Sequence, residues 1–594
     1  MGERQCVTMH SSATVDPVVP IEEDTPPDHR WWTAAGTVLV LVLFAIFAWR
    51  QRWMSDDGLI VLRTVRQLWE GNGPVFNAGE RVEVNTSPLW TFVLAVVGLL
   101  PFRLEWISVV TGLVFSLAGL FLAMDGARKL YRPAGFTAMA PAGALVVLVL
   151  PPFHDFATSG LETGLISLWL GGCWWLLVRA GYDRDDLLRV WPTALVIGLG
   201  PLVRPDLALF SAAAFGALLV LCWRGWKTTG GWLLAAGVLP VVYQIFRMGY
   251  YGLVTPNTAV AKEASAAQWD RGWTYFLDLT SPYALWVPVL LATLSLGLFG
   301  KVAKPGRRFA VLVAVPVLAS AGLALYVTRV GGDFMHGRML LPALFCLLLP
   351  VMVFPLTRWT VSPLIGVLAW AVVAGTSLRV PYFNHPAAAA ITDERGYWTW
   401  ATGVEHPVLA EDYSAYPGMP AQLQAFREAR GPEVLVRTGS GWRGYPTIRP
   451  HTTIAPDSMG ALGLLVPLDV WIHDEYGLAS VLGSHSSVVN SGRSGHEKRL
   501  PSVWDLGDSA SGGLDSAGQA SAFSPSQIEA ARDALRCPDL AELLDSVRAP
   551  LTFDRFMTNL TGSFSRGGIR FDRDPVQARK CGSTPLPSPT ATLN

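Results

Sequence analysis

Charged side chains are scarce in this chain of 594 residues. They make up 15% of it, and 46 lysines and arginines balance 46 aspartates and glutamates. A nucleic acid needs a basic surface to meet its phosphates, so the absence of net charge argues against a nucleic-acid partner. Apolar residues, by contrast, make up 51% of the chain and are concentrated in long runs, which is typical of membrane proteins.

The N-terminus lacks the marks of a cleaved signal peptide. No basic segment and no small-residue cleavage site precede the first apolar run, which begins at Thr33. Residues 1–30 are polar and contain prolines and acidic residues, so they are predicted to be a disordered cytosolic leader. The first apolar run is therefore predicted to remain as an uncleaved membrane span.

Long apolar runs fill residues 31–379 and give way to a mixed composition in residues 380–594. Runs of roughly 17–25 apolar residues match the hydrocarbon thickness of a bilayer, so about eleven transmembrane helices are predicted. The fold class is a polytopic α-helical membrane protein with a C-terminal domain that is mixed α/β or β-rich. The predicted spans are approximately Thr33–Trp49, Trp106–Met124, Ala138–Pro151, Leu161–Leu177, Trp191–Val203, Leu207–Trp223, Trp232–Phe246, Ala284–Phe299, Phe309–Val327, Met339–Leu356 and Thr360–Leu378.

The orientation follows from basic residues in short loops, which mark the cytosolic side. These residues lie near Arg128, in 179–189, near Lys227, in 301–308 and at Arg358. The loops alternate correctly only if the run Ser87–Phe102 does not cross the membrane. That run is short and bounded by prolines, so it is predicted to lie at the outer interface. An odd number of spans then leaves the N-terminus in the cytosol and places the C-terminal domain outside.

The first outer loop carries two adjacent acids, Asp56 and Asp57, at the start of a predicted amphipathic helix that runs to Trp69. In the structural interpretation these acids only cap that helix, where free N–H groups stabilise a carboxylate. In the functional interpretation one or both stay ionised at the membrane surface and act as a base, a nucleophile or a metal ligand.

Other ionisable or polar residues fall on the same predicted face. They are Glu162, Arg204, Asp206, Asn257, Lys262, Asp333, His336 and Arg338. Such residues are costly near a bilayer, so their convergence from separate loops indicates a substrate site. The alternatives are that Arg204 and Arg338 extend to lipid headgroups, that Asp206 starts a helix, and that His336 is a surface imidazole.

An enzyme on the outer face has no access to cytosolic nucleotide sugars, so its donor must cross the bilayer on a lipid. A polyprenyl-phosphate sugar meets this need, because its phosphate leaves as a weakly basic anion that cations can stabilise. The predicted cations are Arg204, Lys262, His336 and Arg338. One of the two first-loop aspartates would then act on the acceptor hydroxyl or the anomeric carbon.

Five segments carry a family resemblance. They are Asp56-Asp57-Gly-Leu-Ile-Val-Leu-Arg-Thr-Val-Arg, Gly71-Asn-Gly-Pro-Val-Phe-Asn, Asp155-Phe-Ala-Thr-Ser-Gly-Leu-Glu162, Gln244-Ile-Phe-Arg-Met-Gly-Tyr-Tyr-Gly252 and Gly331-Gly-Asp-Phe-Met-His-Gly-Arg338. With these segments the chain resembles the GT-C superfamily of glycosyltransferases. Within it, the chain is similar from about Thr33 to Cys581 to the AftB family of terminal β-(1→2)-arabinofuranosyltransferases.

The resemblance implies decaprenyl-phosphoryl-arabinofuranose as the donor and the non-reducing ends of arabinan, in arabinogalactan or lipoarabinomannan, as the acceptor. It also implies that an acid of the first outer loop, Asp56 or Asp57, is catalytic. A β linkage made from a β-linked donor means net retention, through a covalent glycosyl-enzyme or through same-face attack. A divalent cation that bridges Asp56 or Asp57 to the phosphate is compatible with this chemistry, although no spacing in the sequence demands one.

Residues 380–594 are predicted to cap the active site and hold polysaccharide, by resemblance to carbohydrate-binding modules of arabinosyltransferases. Trp398, Trp400, Trp442 and Trp471 could stack on sugars, although tryptophans buried in a core are the commoner outcome.

Of six cysteines, only Cys537 and Cys581 share the oxidising side, so they are predicted to form a disulfide, with two free thiols as the alternative. The Gly- and Ser-rich stretch 507–522 is predicted to be a linker. The protein is expected to be a monomer surrounded by lipid.

Three other functions compete with arabinosyl transfer. The first is the same architecture with another lipid-linked donor, such as mannose. The second is a flippase or transporter of lipid-linked sugars, which would show repeated halves and a site in the middle of the membrane. The third is a structural envelope protein, which would tolerate the loss of both first-loop aspartates.

Overall fold

The computed structural model describes residues 30–182, 187–378, 380, 390–439, 441–489, 493–511 and 523–582. The predicted leader lies outside the described residues except for the backbone of Arg30, and Cys6 lies outside them too. The predicted linker is described only as far as Ser511.

Helices dominate the first two thirds of the chain. They are α1 (Arg30–Arg50), α2 (Asp56–Trp69), α3 (Pro88–Val97), α4 (Leu104–Tyr131), α5 (Ala142–Val149), α6 (Pro151–Ala157), α7 (Thr163–Tyr182), α8 (Leu187–Gly198), α9 (Gly200–Val203), α10 (Ala208–Cys222), α11 (Trp226–Tyr251), α12 (Asn257–Ala261), α13 (Trp269–Thr280), α14 (Trp286–Ala303), α15 (Arg307–Arg329), α16 (Leu341–Leu348) and α17 (Val361–Ser377). Two short strands, β1 (Met139–Ala140) and β2 (Phe354–Pro355), pair antiparallel.

Seven segments of the described chain are long and apolar enough to cross a membrane. They are Trp31–Arg50, Leu104–Ala134, Thr163–Tyr182, Pro205–Cys222, Trp226–Tyr251, Trp286–Ala303 and Arg307–Arg329. Each coincides with a predicted span, and the protein is therefore an α-helical membrane protein with several spans. An eighth predicted span, Thr360–Leu378, contains the 17-residue helix α17.

The remaining three predicted spans, Ala138–Pro151, Trp191–Val203 and Met339–Leu356, are built from short helical pieces and contain no single long helix. Prolines and glycines explain the breaks. The longest helix in the first of these spans is the eight-residue α5, which ends at Val149. The next residue, Leu150, is extended, because the proline that follows it disfavours helical geometry. The second breaks into α8 and α9 around Leu199, and the third passes from α16 into a 3-10 turn that contains Pro350.

The run Ser87–Phe102 contains only α3, which has ten residues. Ten helical residues rise about 15 Å, half of the hydrocarbon thickness of a bilayer. Beyond its C-terminal end, Leu99 and Phe102 are more than two-thirds exposed. The helix is too short to span, in keeping with the predicted interfacial position.

Glycines let the two long helices α4 and α7 approach closely. A Cβ on Gly119 of α4 would lie 2.3 Å from the backbone of Ser167, and one on Gly164 of α7 would lie 2.2 Å from the carbonyl oxygen of Gly112. Small residues at such contacts allow helices to pack backbone to backbone in a bilayer. This packing holds the start of α7, and with it Glu162, in a fixed position.

Residues 390–582, here called the C-terminal region, combine helices with a small sheet. The helices are α18 (Glu394–Thr402), α19 (Met419–Glu428), α20 (Met459–Leu465), α21 (Val481–His485), α22 (Val503–Ser509), α23 (Pro525–Ala534), α24 (Pro538–Arg548), α25 (Phe553–Arg566) and α26 (Pro575–Ala578). The strands are β3 (Glu433–Thr438), β4 (Gly441–Pro446), β5 (Thr453–Ile454) and β6 (Trp471–Ile472), in the order β4-β3-β5-β6, with β3 antiparallel to β4 and parallel to β5.

Local sequence signals hold in part in this region. A capping box at Ser524 and Gln527 starts α23, and Cys537 and Cys581 form a disulfide in the structure. Within residues 464–472 only Trp471–Ile472 pairs in a sheet, and α20 extends to Leu465.

The C-terminal region is joined to the membrane helices through α2 and α20. The fully buried guanidinium of Arg63 in α2 donates hydrogen bonds to the carbonyl oxygens of Phe76 (2.9 Å), Val470 (2.6 Å) and Gly463. A buried charge of this kind is tolerated because several carbonyls satisfy it. The hydrophobic core of the membrane helices continues across this junction through Leu462 of α20.

Gly460 marks the tightest point of this junction. A Cβ there would lie 2.0 Å from the backbone oxygen of Asp56 and 2.9 Å from the Cβ of Leu59. We expect Gly460→Ala to push α20 away from α2 and to destabilise the protein by about 1–3 kcal/mol, as overpacked cores do. The matched control is Gly431→Ala, where an added Cβ meets nothing within 4 Å. Thermal unfolding of the two variants in detergent compares them, and equal melting temperatures would contradict the close junction.

Candidate active site

A cavity of about 450 Å³ lies between the membrane helices and the C-terminal region. The acids and cations that line it are Asp57, Glu162, Arg204, Asp206, Lys262, Asp333, Arg338 and Arg570. Seven of these eight were predicted from separate stretches of sequence. Apolar side chains such as Ile60 and Trp90 complete the wall, so the cavity has both charged and apolar surfaces.

The two first-loop aspartates point to different places. Asp56 accepts hydrogen bonds from the Ser458 hydroxyl and from the Ala461 N–H (2.9 Å), at the start of α20. Burial beneath the C-terminal region raises the pKa of Asp56, and these two hydrogen bonds offset part of that rise. Asp57 instead lines the cavity, with 28% of its side chain exposed. Neighbouring residues on a helix point about 100° apart, which separates the two carboxylates.

Asp57 is not the closest partner of the cation beside it. Its carboxylate lies 3.4 Å from the guanidinium of Arg338, whereas Asp333 lies 2.7 Å from the same group. Burial alone would raise the pKa of Asp333, but Arg338 and Lys262 together bring it below its usual value. Asp333 therefore stays ionised and neutralises Arg338, and Asp57 is left with a weak contact.

The same arrangement recurs on the neighbouring wall. Arg204 donates two hydrogen bonds of 2.7 Å to Asp206, and all but a few per cent of both side chains is buried. Bidentate pairing of this kind is strong and directional. Glu162 lies 3.8 Å from Arg204, too far for a hydrogen bond. Glu162 is thus a second carboxylate that is only loosely paired.

Among the cations that line the cavity, Lys262 has the fewest hydrogen bonds and ion pairs. Within the described residues its ammonium group makes no hydrogen bond and no ion pair, although it lies in a wall that contains Asp333. Its neighbour Glu263 has a left-handed backbone (φ 46°), which is unusual for a residue with a side chain. Glu263 is held there by Lys498 (2.8 Å) and by Arg570 (2.9 Å), both from the C-terminal region.

Asn257 and His336 do not line this cavity. Asn257 donates hydrogen bonds to the carbonyl oxygens of Gly477 (2.7 Å) and Leu478 (3.0 Å), and so ties α12 to the C-terminal region. His336 contacts Asp278 through Nδ1 (2.6 Å) and Tyr283 through Nε2 (3.1 Å), beside a separate small cavity. The structure therefore places both residues outside the lining of the main cavity.

Sequence patterns alone missed several residues of the wall. Asn85, Thr86 and Ser87 line the cavity just before α3, and Ser494 and Arg570 reach it from the C-terminal region. The polar Asn-Thr-Ser triplet before an apolar helix was the only local signal for the first group. Nothing local in the sequence relates Ser494 or Arg570 to residues more than 150 positions away.

Most of the tryptophan side chains discussed for the C-terminal region pack against other residues of the protein. Trp398 is buried against Tyr413, and Trp471 lies between His451 (ring centroids 4.3 Å apart) and Arg548. Of the four tryptophans predicted to stack on sugars, Trp400 is the most exposed, at 58%. No group of three His, Cys, Asp or Glu side chains suited to a metal ion occurs in the part of the chain that the structure describes.

Comparisons with known proteins agree with the motifs. Residues 445–580 match the AftB family C-terminal domain. A terminal β-(1→2)-arabinofuranosyltransferase of Mycobacterium tuberculosis is 40% identical, over 91% of this chain and 96% of that protein. One from Corynebacterium glutamicum is 35% identical, over 91% of this chain and 86% of that protein. No solved structure matches. The resemblance predicted from the sequence is confirmed, and this chain belongs to the terminal β-(1→2)-arabinofuranosyltransferase family of glycosyltransferases.

Proposed function

We propose that this enzyme transfers arabinofuranose from decaprenyl-phosphoryl-arabinofuranose to the non-reducing ends of arabinan, in arabinogalactan or lipoarabinomannan, and forms terminal β-(1→2) linkages with net retention. Both relatives are terminal β-(1→2)-arabinofuranosyltransferases, a name that specifies the transfer and the linkage. The observation that carries the proposal is the placement of Asp57 in one cavity with Lys262, Arg338 and apolar walls. Such a cavity suits a sugar, a phosphate and the start of a lipid chain.

We further propose that the protein lies in the plasma membrane, with its N-terminus in the cytosol and residues 380–594 outside. The disulfide between Cys537 and Cys581 supports an oxidising compartment for the C-terminal region. Pairing of β1 with β2 supports eleven crossings, because it sets the start of the α5 segment beside the end of the α16 segment. The opposite ends of these two segments meet again at Asp155 and His336, so both traverse the same depth.

The donor phosphate is proposed to bind between Lys262 and Arg338. Arg338 and Arg204 already have close carboxylate partners, whereas Lys262 does not among the described residues. An incoming phosphate would therefore gain most from the Lys262 ammonium group, in a site with little water to screen it. The clamp on Glu263 keeps Lys262 facing the cavity.

Two loosely paired carboxylates in one cavity favour the two-step route to retention. In the first step Asp57 attacks the anomeric carbon, the C1–O bond to phosphate breaks, and its electron pair leaves on the phosphate. In the second step an acceptor hydroxyl attacks C1, Asp57 departs, and Glu162 accepts the hydroxyl proton before passing it to water. The leaving phosphate needs no proton, so Glu162 is required only in the second step.

Substitution of the two aspartates is expected to affect transfer activity differently. Asp57→Asn is expected to lower transfer by at least about 100-fold, because the cavity loses its reactive carboxylate. Asp56→Asn is expected to stay close to wild type, because an amide oxygen can still accept from Ser458 and Ala461. Incubation with lipid-phosphate arabinose and a defined arabinan acceptor, followed by anomeric analysis of the product, measures both variants. The proposal fails if Asp56→Asn is inactive and Asp57→Asn is not, or if the purified enzyme prefers a lipid-phosphate mannose.

Removing the Lys262 charge should weaken donor use. Lys262→Met is expected to lower kcat/KM for the donor by about 10- to 100-fold, the range for a lost charged hydrogen bond, with the KM for acceptor unchanged. Lys262→Arg should recover part of the loss. The exposed Lys301 is the matched control, because it lies in the last turn of α14 and does not line the cavity. An unchanged donor KM in Lys262→Met would place the phosphate elsewhere.

The two-step route predicts that an intermediate can be trapped. Glu162→Gln incubated with donor alone should accumulate a covalent arabinosyl ester, seen by mass spectrometry as one added anhydropentose on the peptide that contains Asp57. The double variant Asp57→Asn with Glu162→Gln should show none. An unmodified peptide in Glu162→Gln, with released lipid phosphate still detectable, would favour same-face attack.

A further inference from the structure

Helix α25 has an apolar stripe that the rest of the described chain leaves uncovered. Phe553 is 77% exposed and Phe564 is 75% exposed, and Met557 between them is exposed as well. With the half-buried Leu560, these residues follow the spacing i, i+4, i+7 and i+11, which places them on one side of a helix. Exposed apolar side chains in such a row mark an interaction surface.

A polar stripe runs beside the apolar one, offset by a single residue. Asp554, Thr558, Thr561 and Ser565 share the same spacing and are all exposed. A third side of the helix, with Asn559 and Ser563, is fully buried against the protein. The helix therefore has one side on protein, one suited to water, and one that is apolar and uncovered.

The buried side of α25 rests on the end of the membrane helix α11. The Asn559 side chain donates a hydrogen bond to the carbonyl oxygen of Gly249 (3.1 Å), and Arg566 donates one to that of Gly252 (3.3 Å). A Cβ on Gly249 would lie 2.2 Å from the ring of Phe556, so only glycine allows this contact. The position of α25 relative to the end of α11 is thus closely defined.

That end of α11 lies at the membrane surface. The helix has 26 residues, or about 39 Å, and so reaches from one headgroup region to the other. It ends in Tyr250 and Tyr251, and the partly exposed Tyr250 is of a residue type that favours the headgroup level. Just before them, Val241, Val242 and Ile245 are about half exposed and form an outer surface suited to lipid.

We propose that α25 is an interfacial membrane anchor, which lies in the plane of the bilayer surface and inserts Phe553, Met557 and Phe564 at the boundary between headgroups and acyl chains. The occupant of the stripe is lipid, because the stripe sits at the level where the lipid-facing surface of α11 ends and continues that surface outward. An amphipathic helix of this kind buries its apolar side about 5–10 Å below the headgroups. The anchor fixes the height of the C-terminal region above the membrane, and with it the cavity mouth at Gly567 and Arg570, which directly follow α25.

Site-directed labelling of the full-length protein tests this proposal. An environment-sensitive fluorophore is attached at Met557→Cys or Phe564→Cys, and at their neighbours Thr558→Cys or Ser565→Cys as matched controls. Cys6→Ser serves as the background, because Cys173, Cys222 and Cys346 are buried and Cys537 is bonded to Cys581. The protein is placed in nanodiscs of phosphatidylcholine and phosphatidylglycerol, with or without bromine near the glycerol end of the acyl chains.

Labels at 557 and 564 are expected to lose emission in brominated lipid and to be shielded from iodide in the water. Labels at 558 and 565 should show the reverse. Iodide quenching at all four positions would overturn the proposal, because the stripe would then face water. Shielding at 557 and 564 without quenching by brominated lipid would also overturn it and would indicate a protein partner, such as a second copy. Thermal unfolding of each labelled variant checks that it is folded. Because positions 557 and 564 are tested independently, the experiment remains decisive if one of the two variants does not fold.

Discussion

Charged side chains that are buried near a bilayer require oppositely charged partners, because an unpaired buried charge costs several kcal/mol. This constraint organises the cavity. Arg204 and Arg338 are each neutralised at 2.7 Å by their own aspartate. Because these two arginines are paired, Asp57 and Glu162 make only longer contacts with them. The ammonium group of Lys262 has no ion-pair partner among the described residues. The charged residues that the fold leaves least paired therefore face the cavity.

The C-terminal region forms part of the cavity wall and also holds residues beside the cavity. It binds the carboxylate of Asp56, encloses the guanidinium of Arg63, and clamps Glu263 beside Lys262 through the fully buried Lys498. These contacts explain why the aspartate pair has two roles. One carboxylate fastens the region to α2, and its neighbour faces the cavity that the region closes. Sugar stacking by Trp398 or Trp471, in contrast, is not needed to explain how the region acts.

Patterns along the chain were sufficient to locate the seven long spans, the shortness of α3 and seven charged residues of the cavity, because hydrophobic length and loop position are local properties. They did not separate Asp56 from Asp57, since that difference depends on α20, some 400 residues later in the chain. They also did not separate His336 from the residues of the main cavity, because its contact with Asp278 of α13 is not a local property. The broken helices were missed because apolar composition hides the effect of Pro151 and Pro350 on backbone geometry.

The position of the donor phosphate tests the account most directly. A cryo-electron microscopy structure of the enzyme with a non-transferable lipid-phosphate arabinose analogue would show it. We expect phosphate density between Lys262 and Arg338, the anomeric carbon facing the carboxylate of Asp57, and the lipid chain leaving along the apolar wall near Ile60 and Trp90. Phosphate density beside His336 and Asp278, or beside Asp56 under α20, would contradict this assignment of the active site.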